Sequence, residues 1–312
     1  LSKQVNCQDA AGNVPAAGLL DIPRSDAIQN TMRRKKAAVK VILLVILVPV
    51  VAFILPLVFG QSRMIYFPRP YGGGDVARFK KAEGAAVIDY QTTDGAQQAY
   101  LYSPSEHPER LWILCGGNGT VALDWLDWIQ QYAPKRDAWL LFDMPGYGAS
   151  TGNPNPWSIR RSLKAVVPAA EQALGWQAGA AKGRLRFFGH SLGAAVVLMA
   201  ADEYGIHRGV LLTPFTSTMD MAKVVTRLPL RFLVWQRFDN EAELRKISES
   251  PDGKVFIFHG DQDEAIPVEM SRKMAAEFPG MVTYHEIPGG RHNTLQDKIP
   301  SEIVAALEEA RK

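Results

Sequence analysis

Gly189-His190-Ser191-Leu192-Gly193 is the stretch of this chain best suited to chemistry. An apolar run with strand character, Leu185 to Phe188, leads into it, and an apolar helical run, Ala194 to Ala201, leaves it. Strand, G-x-S-x-G, helix is the setting that puts a serine hydroxyl at the tip of a tight turn. The flanking positions must be small, which glycine supplies. The backbone N–H groups that open the helix favour negative charge in front of them. The motif alone is weak evidence. A serine hydroxyl is a poor nucleophile at neutral pH and needs a base in reach, a carboxylate behind the base and donors for an oxyanion.

Of the six histidines, His292 suits the base. It follows Pro288-Gly289-Gly290-Arg291, a glycine-rich loop that can carry an imidazole back over the ends of the strands. His285, within an expected strand, is the alternate. His190 lies inside the turn with its side chain directed away from the Ser191 hydroxyl and reads as packing. His107, His207 and His259 sit in a loop or at strand ends. The base needs a carboxylate to fix its tautomer and stabilise the imidazolium. Asp261 and Asp263 compete, both following the run Val255 to Phe258. Asp263 lies further into the loop, where sites of open α/β sheets gather, and is preferred. Asp261 then reads as a turn residue bonding its own backbone. One oxyanion donor is the N–H of Leu192, next to the serine. The second belongs to Gly116-Gly117-Asn118-Gly119-Thr120, whose glycines let the backbone approach a ligand. The N–H of Asn118 is the choice, with Gly119 as alternate and an ordinary glycine-rich turn as the plain reading.

These residues need a scaffold that brings strand ends together. Ala86 to Thr92 and Gln97 to Tyr102 read as a hairpin about Asp94-Gly95. Short apolar strands are expected at 111–115, 138–142, 185–188, 210–212, 254–259 and 281–287. Helices are expected over 121–132, 158–174, 268–278 and 299–310, with Pro168 kinking or bounding the second. This alternation predicts an α/β class with a mostly parallel sheet covered by helices on both faces. No internal repeat is present.

The N-terminal part is different in kind. Residues 1–36 form a polar segment read as disordered or extraneous, ending in Arg33-Arg34-Lys35-Lys36, with Met32 the natural-looking start. Residues 37–60 are expected to form a transmembrane signal-anchor helix. The stretch Val41 to Gly60 is free of charge, and twenty helical residues span about 30 Å. The basic cluster before it places the N-terminus in the cytoplasm and the rest of the chain on the periplasmic or extracytoplasmic side. A cleaved signal peptide and a buried core helix are the competing readings; Leu57-Val58-Phe59-Gly60 makes a poor cleavage site. Gln61 to Gly84 reads as a linker, and residues 61–312 as one catalytic domain.

The composition sets outer bounds. The chain has 312 residues, of which 47% are apolar and 21% charged, enough for one large domain or two small ones. The net charge is only +3, much of it in the 33–36 cluster, and no basic face suggests nucleic acid. Cys7 and Cys115 lie in unlike settings, a polar tail and the end of a core strand, so no disulfide is expected. The scattered histidines lack ligand spacing, and neither a metal nor another cofactor is implied.

The chain order Ser191, Asp263, His292, together with Asp143-Met144-Pro145-Gly146-Tyr147-Gly148-Ala149-Ser150, resembles the α/β-hydrolase superfamily and its D-x-x-G-x-G-x-S loop. The resemblance runs from about residue 61 to the C-terminus. It is nearest the membrane-anchored, Bem-like branch of serine hydrolases, related to depalmitoylating thioesterases and to the catalytic domains of prolyl oligopeptidases. Ile65-Tyr66-Phe67-Pro68 is similar to that branch's lead-in segment. Where the branch has His-Gly-Asn-Ala, this chain has Gly116-Gly117-Asn118-Gly119, so the histidine that would brace that loop is missing while the backbone donor is kept. The resemblance implies that Asp143 is structural and that residues 213–253 hold a short lid.

The lid's apolar run is Met219, Met221, Val224, Val225, Leu228, Leu230, Phe232, Leu233 and Trp235. It reads as a helix packed on the core, or as an acyl-binding wall or bilayer-dipping surface assisted by Arg227, Arg231 and Arg237. The expected function is hydrolysis of a carboxylic ester or thioester, with a lipid or acylated substrate. A peptidase of prolyl-oligopeptidase type is the alternative, although residues 61–110 are too few for the propeller that gates such enzymes. A catalytically silent, membrane-tethered binding protein is the alternative of another class. Dehalogenases and epoxide hydrolases place Asp where this chain has Ser191.

Overall fold

The computed structural model describes residues 25–177, 181–227 and 231–312. Cys7, and Leu228 and Leu230 of the lid run, lie outside the described residues. The chain divides into two compact units, Leu1–Ile54 and Leu55–Lys312.

The described part of the first unit belongs to helix α1, Ser25–Phe59. Residues 25–36 are therefore helical and continuous with the apolar run, not a separate segment. Within α1, Ala27–Pro56 is long and apolar enough to cross a membrane, and none of it is buried. Pro49 and Pro56 lie inside the helix, as membrane helices tolerate.

The second unit opens with two short helices, α2 (Gln61–Ile65) and α3 (Asp75–Phe79). The segment expected as a linker is thus a packed strap: Tyr66 and Phe79 are fully buried. Strands β1 (Ala85–Thr92) and β2 (Gly95–Tyr102) form the expected hairpin. Thr92 pairs with Gly95, whose φ of +110° suits glycine alone. Alternation then begins. In chain order come β3 (Leu111–Cys115), a 3₁₀ turn at Ala122–Trp125 running into α4 (Leu126–Tyr132), β4 (Ala138–Phe142), α5 (Pro156–Ala173) and β5 (Leu185–His190). There follow α6 (Leu192–Tyr204), β6 (Arg208–Leu212), α7 (Thr218–Thr226), a 3₁₀ turn at Arg231–Leu233 and α8 (Asn240–Ser248). The unit closes with β7 (Lys254–Gly260), α9 (Glu269–Glu277), β8 (Val282–Ile287), α10 (Leu295–Lys298) and α11 (Pro300–Ala310). Pro168 neither ends nor interrupts α5. That helix starts where Asn155 caps it, accepting from the Trp157 and Ser158 N–H groups.

The eight strands form one sheet in the order β1-β2-β4-β3-β5-β6-β7-β8. β3 to β8 run parallel, and β2 joins β4 antiparallel. The mostly parallel sheet expected from the alternation is borne out. Both faces are dry. Along β3, Leu111, Ile113 and Cys115 enter one core and Trp112 and Leu114 the other, as the two-residue period of a strand requires. A strand buried on both sides reads as an unbroken apolar run, which is why β3, β4 and β5 were legible. β3 and β5 are neighbours, and the connection after β3 leads to β4 on one side while that after β5 leads to β6 on the other. Such a switch point opens a crevice at the strand C-termini, between the loop after Cys115 and the turn after His190.

Candidate active site

The turn after β5 is over-determined. Ser191 has φ +56° and ψ −121°, a conformation L-residues rarely adopt. It is held by a 2.9 Å bond from its N–H to Leu212 O on β6. A Cβ at Gly189 would lie 2.6 Å from Ala194 Cα, and one at Gly193 would meet the Cys115 and Gly116 carbonyl oxygens. Both glycines are thus demanded by close backbone approach.

The structure brings Ser191, His292 and Asp263 together. The Ser191 hydroxyl donates to His292 Nε2 over 3.0 Å, and His292 Nδ1 donates to Asp263 Oδ2 over 2.8 Å. The carboxylate can only accept, so the proton sits on Nδ1 and Nε2 faces the serine as an acceptor. Asp263 has no exposed side-chain surface. Its Oδ1 accepts from the N–H groups of Ala265 and Ile266, both at 2.8 Å. Burial alone would raise this carboxyl. The N–H groups of His259, His292 and Ile266 outweigh that and hold it well below the usual carboxylate range.

Asp261 stays outside this line. It accepts from Gly289 N–H at 2.6 Å and so ties its loop to the one carrying His292, instead of bonding its own backbone as expected. His285 stacks on Phe258 with ring centroids 4.7 Å apart. Asn118 and Leu192 border the same cavity as Ser191 and His292. Among the described residues neither of their N–H groups has a hydrogen-bond acceptor. The Asn118 side chain donates to Ile65 O over 3.1 Å, and its carbonyl accepts from Phe67 N–H and the Tyr147 hydroxyl. The strap therefore braces a loop that has no histidine to brace it. Asp143 is wholly buried, with Ala122 N–H and the Tyr71 hydroxyl donating to it. Burial pushes it up to about 7 against those bonds.

Two supporting histidines escaped the reading of the sequence. His259 is fully buried, with Nε2 3.3 Å from Asp263 Oδ2 and 3.0 Å from Ile266 O, while Ser271 donates to Nδ1. Its spacing of four residues from Asp263 was the available signal. His190, read as packing, also donates from Nε2 to the carbonyl of His292 at 3.0 Å. Burial, and then the neighbouring His292, push its pKa down to about 4, so it is neutral at pH 7.

The cavity in front of Ser191 encloses about 410 Å³. Its walls are largely apolar, from Met64 and Ile65 of the strap, Phe215, Met221 and Val225 near α7, and Leu233 and Val234 beyond it. That size lies in the range of small-molecule sites.

Comparison with known proteins agrees with this architecture. A model of the alpha/beta hydrolase family matches residues 112–247. An uncharacterized protein of Mycobacterium tuberculosis is 30% identical over 245 residues, covering 75% of this chain and 80% of that protein. The chain belongs to the alpha/beta hydrolase family. Human alpha/beta hydrolase domain-containing protein 17C is 28% identical over 155 residues, half of this hydrolase and 44% of that protein. Among solved structures, an esterase of Pyrococcus furiosus superposes with a TM-score of 0.59 at 17% identity, covering 80% of this hydrolase and 98% of the esterase. That likeness is one of fold.

Proposed function

We propose that this hydrolase cleaves carboxylic esters or thioesters of lipid-like or acylated substrates through a Ser191–His292–Asp263 triad. The observation that carries the reading is the continuous line of hydrogen bonds from the Ser191 hydroxyl through His292 to a buried, ionised Asp263, at the floor of an apolar cavity. As Ser191 Oγ attacks the carbonyl carbon, its proton passes to His292 Nε2, and Asp263 stabilises the imidazolium. The carbonyl oxygen gains charge in front of the free N–H groups of Leu192 and Asn118. His292 then gives its proton to the leaving alcohol or thiol, and an acyl group remains on Ser191. Water deprotonated by the same imidazole releases the acid.

The apolar walls suit an acyl chain, and among the described residues they supply no charged anchor for a peptide. The anchoring role falls to α1, with the body on the extracytoplasmic side, on the strength of the basic residues at positions 33–36. A p-nitrophenyl ester series of increasing chain length, run beside an acyl thioester and an amide, tests this. Turnover of the esters and thioester that rises with chain length and vanishes in Ser191→Ala is expected. Preference for the amide, or indifference to chain length, contradicts it.

A further inference from the structure

Outside α1, the strongly exposed large hydrophobic side chains among the described residues come from only a few places. They are Met64 and Phe67 of the strap, Trp157 at the start of α5, and Val224, Val225, Phe232 and Trp235 in and after α7. These are one neighbourhood. Trp157 stacks on Trp235 at 5.9 Å, and Gln61 bonds Leu233 O and the Trp235 N–H. Met64 and Val225 line the Ser191 cavity with Leu233. A contiguous apolar patch at a cavity rim marks an interaction surface rather than random exposure.

The chain itself says what covers the patch. Leu55–Phe59, the last turn of α1, belongs to the second unit, and the Trp235 indole N–H donates to Val58 O over 2.7 Å. Gln61, two residues beyond Phe59, already borders the cavity, and two residues reach at most roughly 7 Å. A span that leaves the bilayer at Phe59 therefore sets Trp235, Trp157 and the cavity rim at the interface, where tryptophans concentrate. Arg63, Arg227, Arg231 and Arg237 are exposed in the same segments and have no ion pair among the described residues. They suit anionic headgroups.

Resting on the membrane-anchored reading above, we propose that this rim is a bilayer-docking face, lying on the leaflet from which α1 emerges, and that acyl substrates pass from that leaflet directly into the cavity. The occupant is the host membrane, not a protein partner.

The test uses the full chain in single-copy nanodiscs of phosphatidylcholine with phosphatidylglycerol. Nitroxides are attached through Phe232→Cys or Trp157→Cys in a Cys7→Ser background; Cys115 is buried, out of reach of the label. Glu106→Cys, exposed before β3 at the other end of the sheet, is the reference. The expected result is a lipid-like ratio of oxygen to nickel-chelate accessibility at 232 and 157 and a water-like ratio at 106. A water-like ratio at 232 and 157, or shielding from both reagents there, overturns the proposal; shielding would point to a protein partner.

Activity provides a second arm. Phe232→Glu with Trp157→Glu is expected to slow hydrolysis of a long-chain ester held in the bilayer by about tenfold, while p-nitrophenyl acetate changes by less than about twofold. Equal loss on both substrates, or no loss on the bilayer ester, overturns it. If the unaltered protein hydrolyses neither, the catalytic reading fails while the accessibility contrast still decides the docking face.

Discussion

The strand-end loops and the cavity wall are built by opposite means. Around Ser191, Asp263 and His292 the backbone is fixed by short loops, close glycine contacts and carboxylate hydrogen bonds, and little apolar surface is exposed. The wall formed by residues 61–67 and 218–236 is held by a few side-chain bonds between distant segments, chiefly those of Gln61 to Leu233 and Trp235 and of Tyr66 to Gln236. It leaves large apolar side chains in the open. The first region is fixed by close backbone contacts, and the second lines the cavity with apolar side chains. Damage to the first should therefore abolish turnover at every chain length, and damage to the second should change which substrates are taken.

Ser191→Ala should produce the largest effect, a fall in kcat of about 10⁴-fold or more on every substrate. Residual activity within tenfold of the unaltered enzyme would show that Ser191 is not the nucleophile. Asp263→Asn should follow, at about 10⁴-fold, because an amide no longer enforces the Nδ1–H tautomer of His292. Loss of this carboxylate also alters acid stability. Its folded-state pKa is depressed, so its contribution to stability is present above the unfolded value near 4 and lost as the pH falls below it. The variant should lack that part of the acid unfolding transition, as followed by circular dichroism. His259→Gln should cost less, about tenfold in kcat with little change in KM, since it removes a partner of Asp263 and no reacting group.

On the wall, Gln61→Leu strips buried partners from Leu233 O and Trp235 N–H. It should destabilise by about 1–3 kcal/mol in urea melts. Its kcat/KM should fall more for long acyl chains than for acetate; a uniform fall would show that wall and triad are not separable. The smallest effect concerns His190. Its folded pKa of about 4 lies below the unfolded 6.5, so its contribution to stability is complete above pH 6.5 and is lost as the pH falls toward 4. His190→Gln should flatten stability in that window.

The contrast also governs what the sequence alone could reveal. The tight turn at Ser191, the parallel strands and the order serine, acid, histidine are local signals: glycines where backbones touch, apolar runs buried on both faces, and a loop after each strand. The wall depends on partners more than 170 positions apart, as Gln61 and Leu233 are, and no spacing rule connects them. For that reason residues 61–84, rich in Pro and Gly, read as a linker although Tyr66 and Phe79 are buried there. Asp261 shows the same limit on a smaller scale. Its bond to Gly289 needs two loops that only the folded sheet places side by side. Residues 25–36 misled for another reason: their polarity is that of a free tail, yet they continue the helix of the apolar run behind them.

Whether Ser191 is the nucleophile is decided by intact-mass and peptide mass spectrometry after treatment with a fluorophosphonate. A single stoichiometric adduct on the peptide containing Ser191 is expected, absent in Ser191→Ala and suppressed by a long-chain ester. No adduct on folded protein, or an adduct that persists in Ser191→Ala, would contradict it.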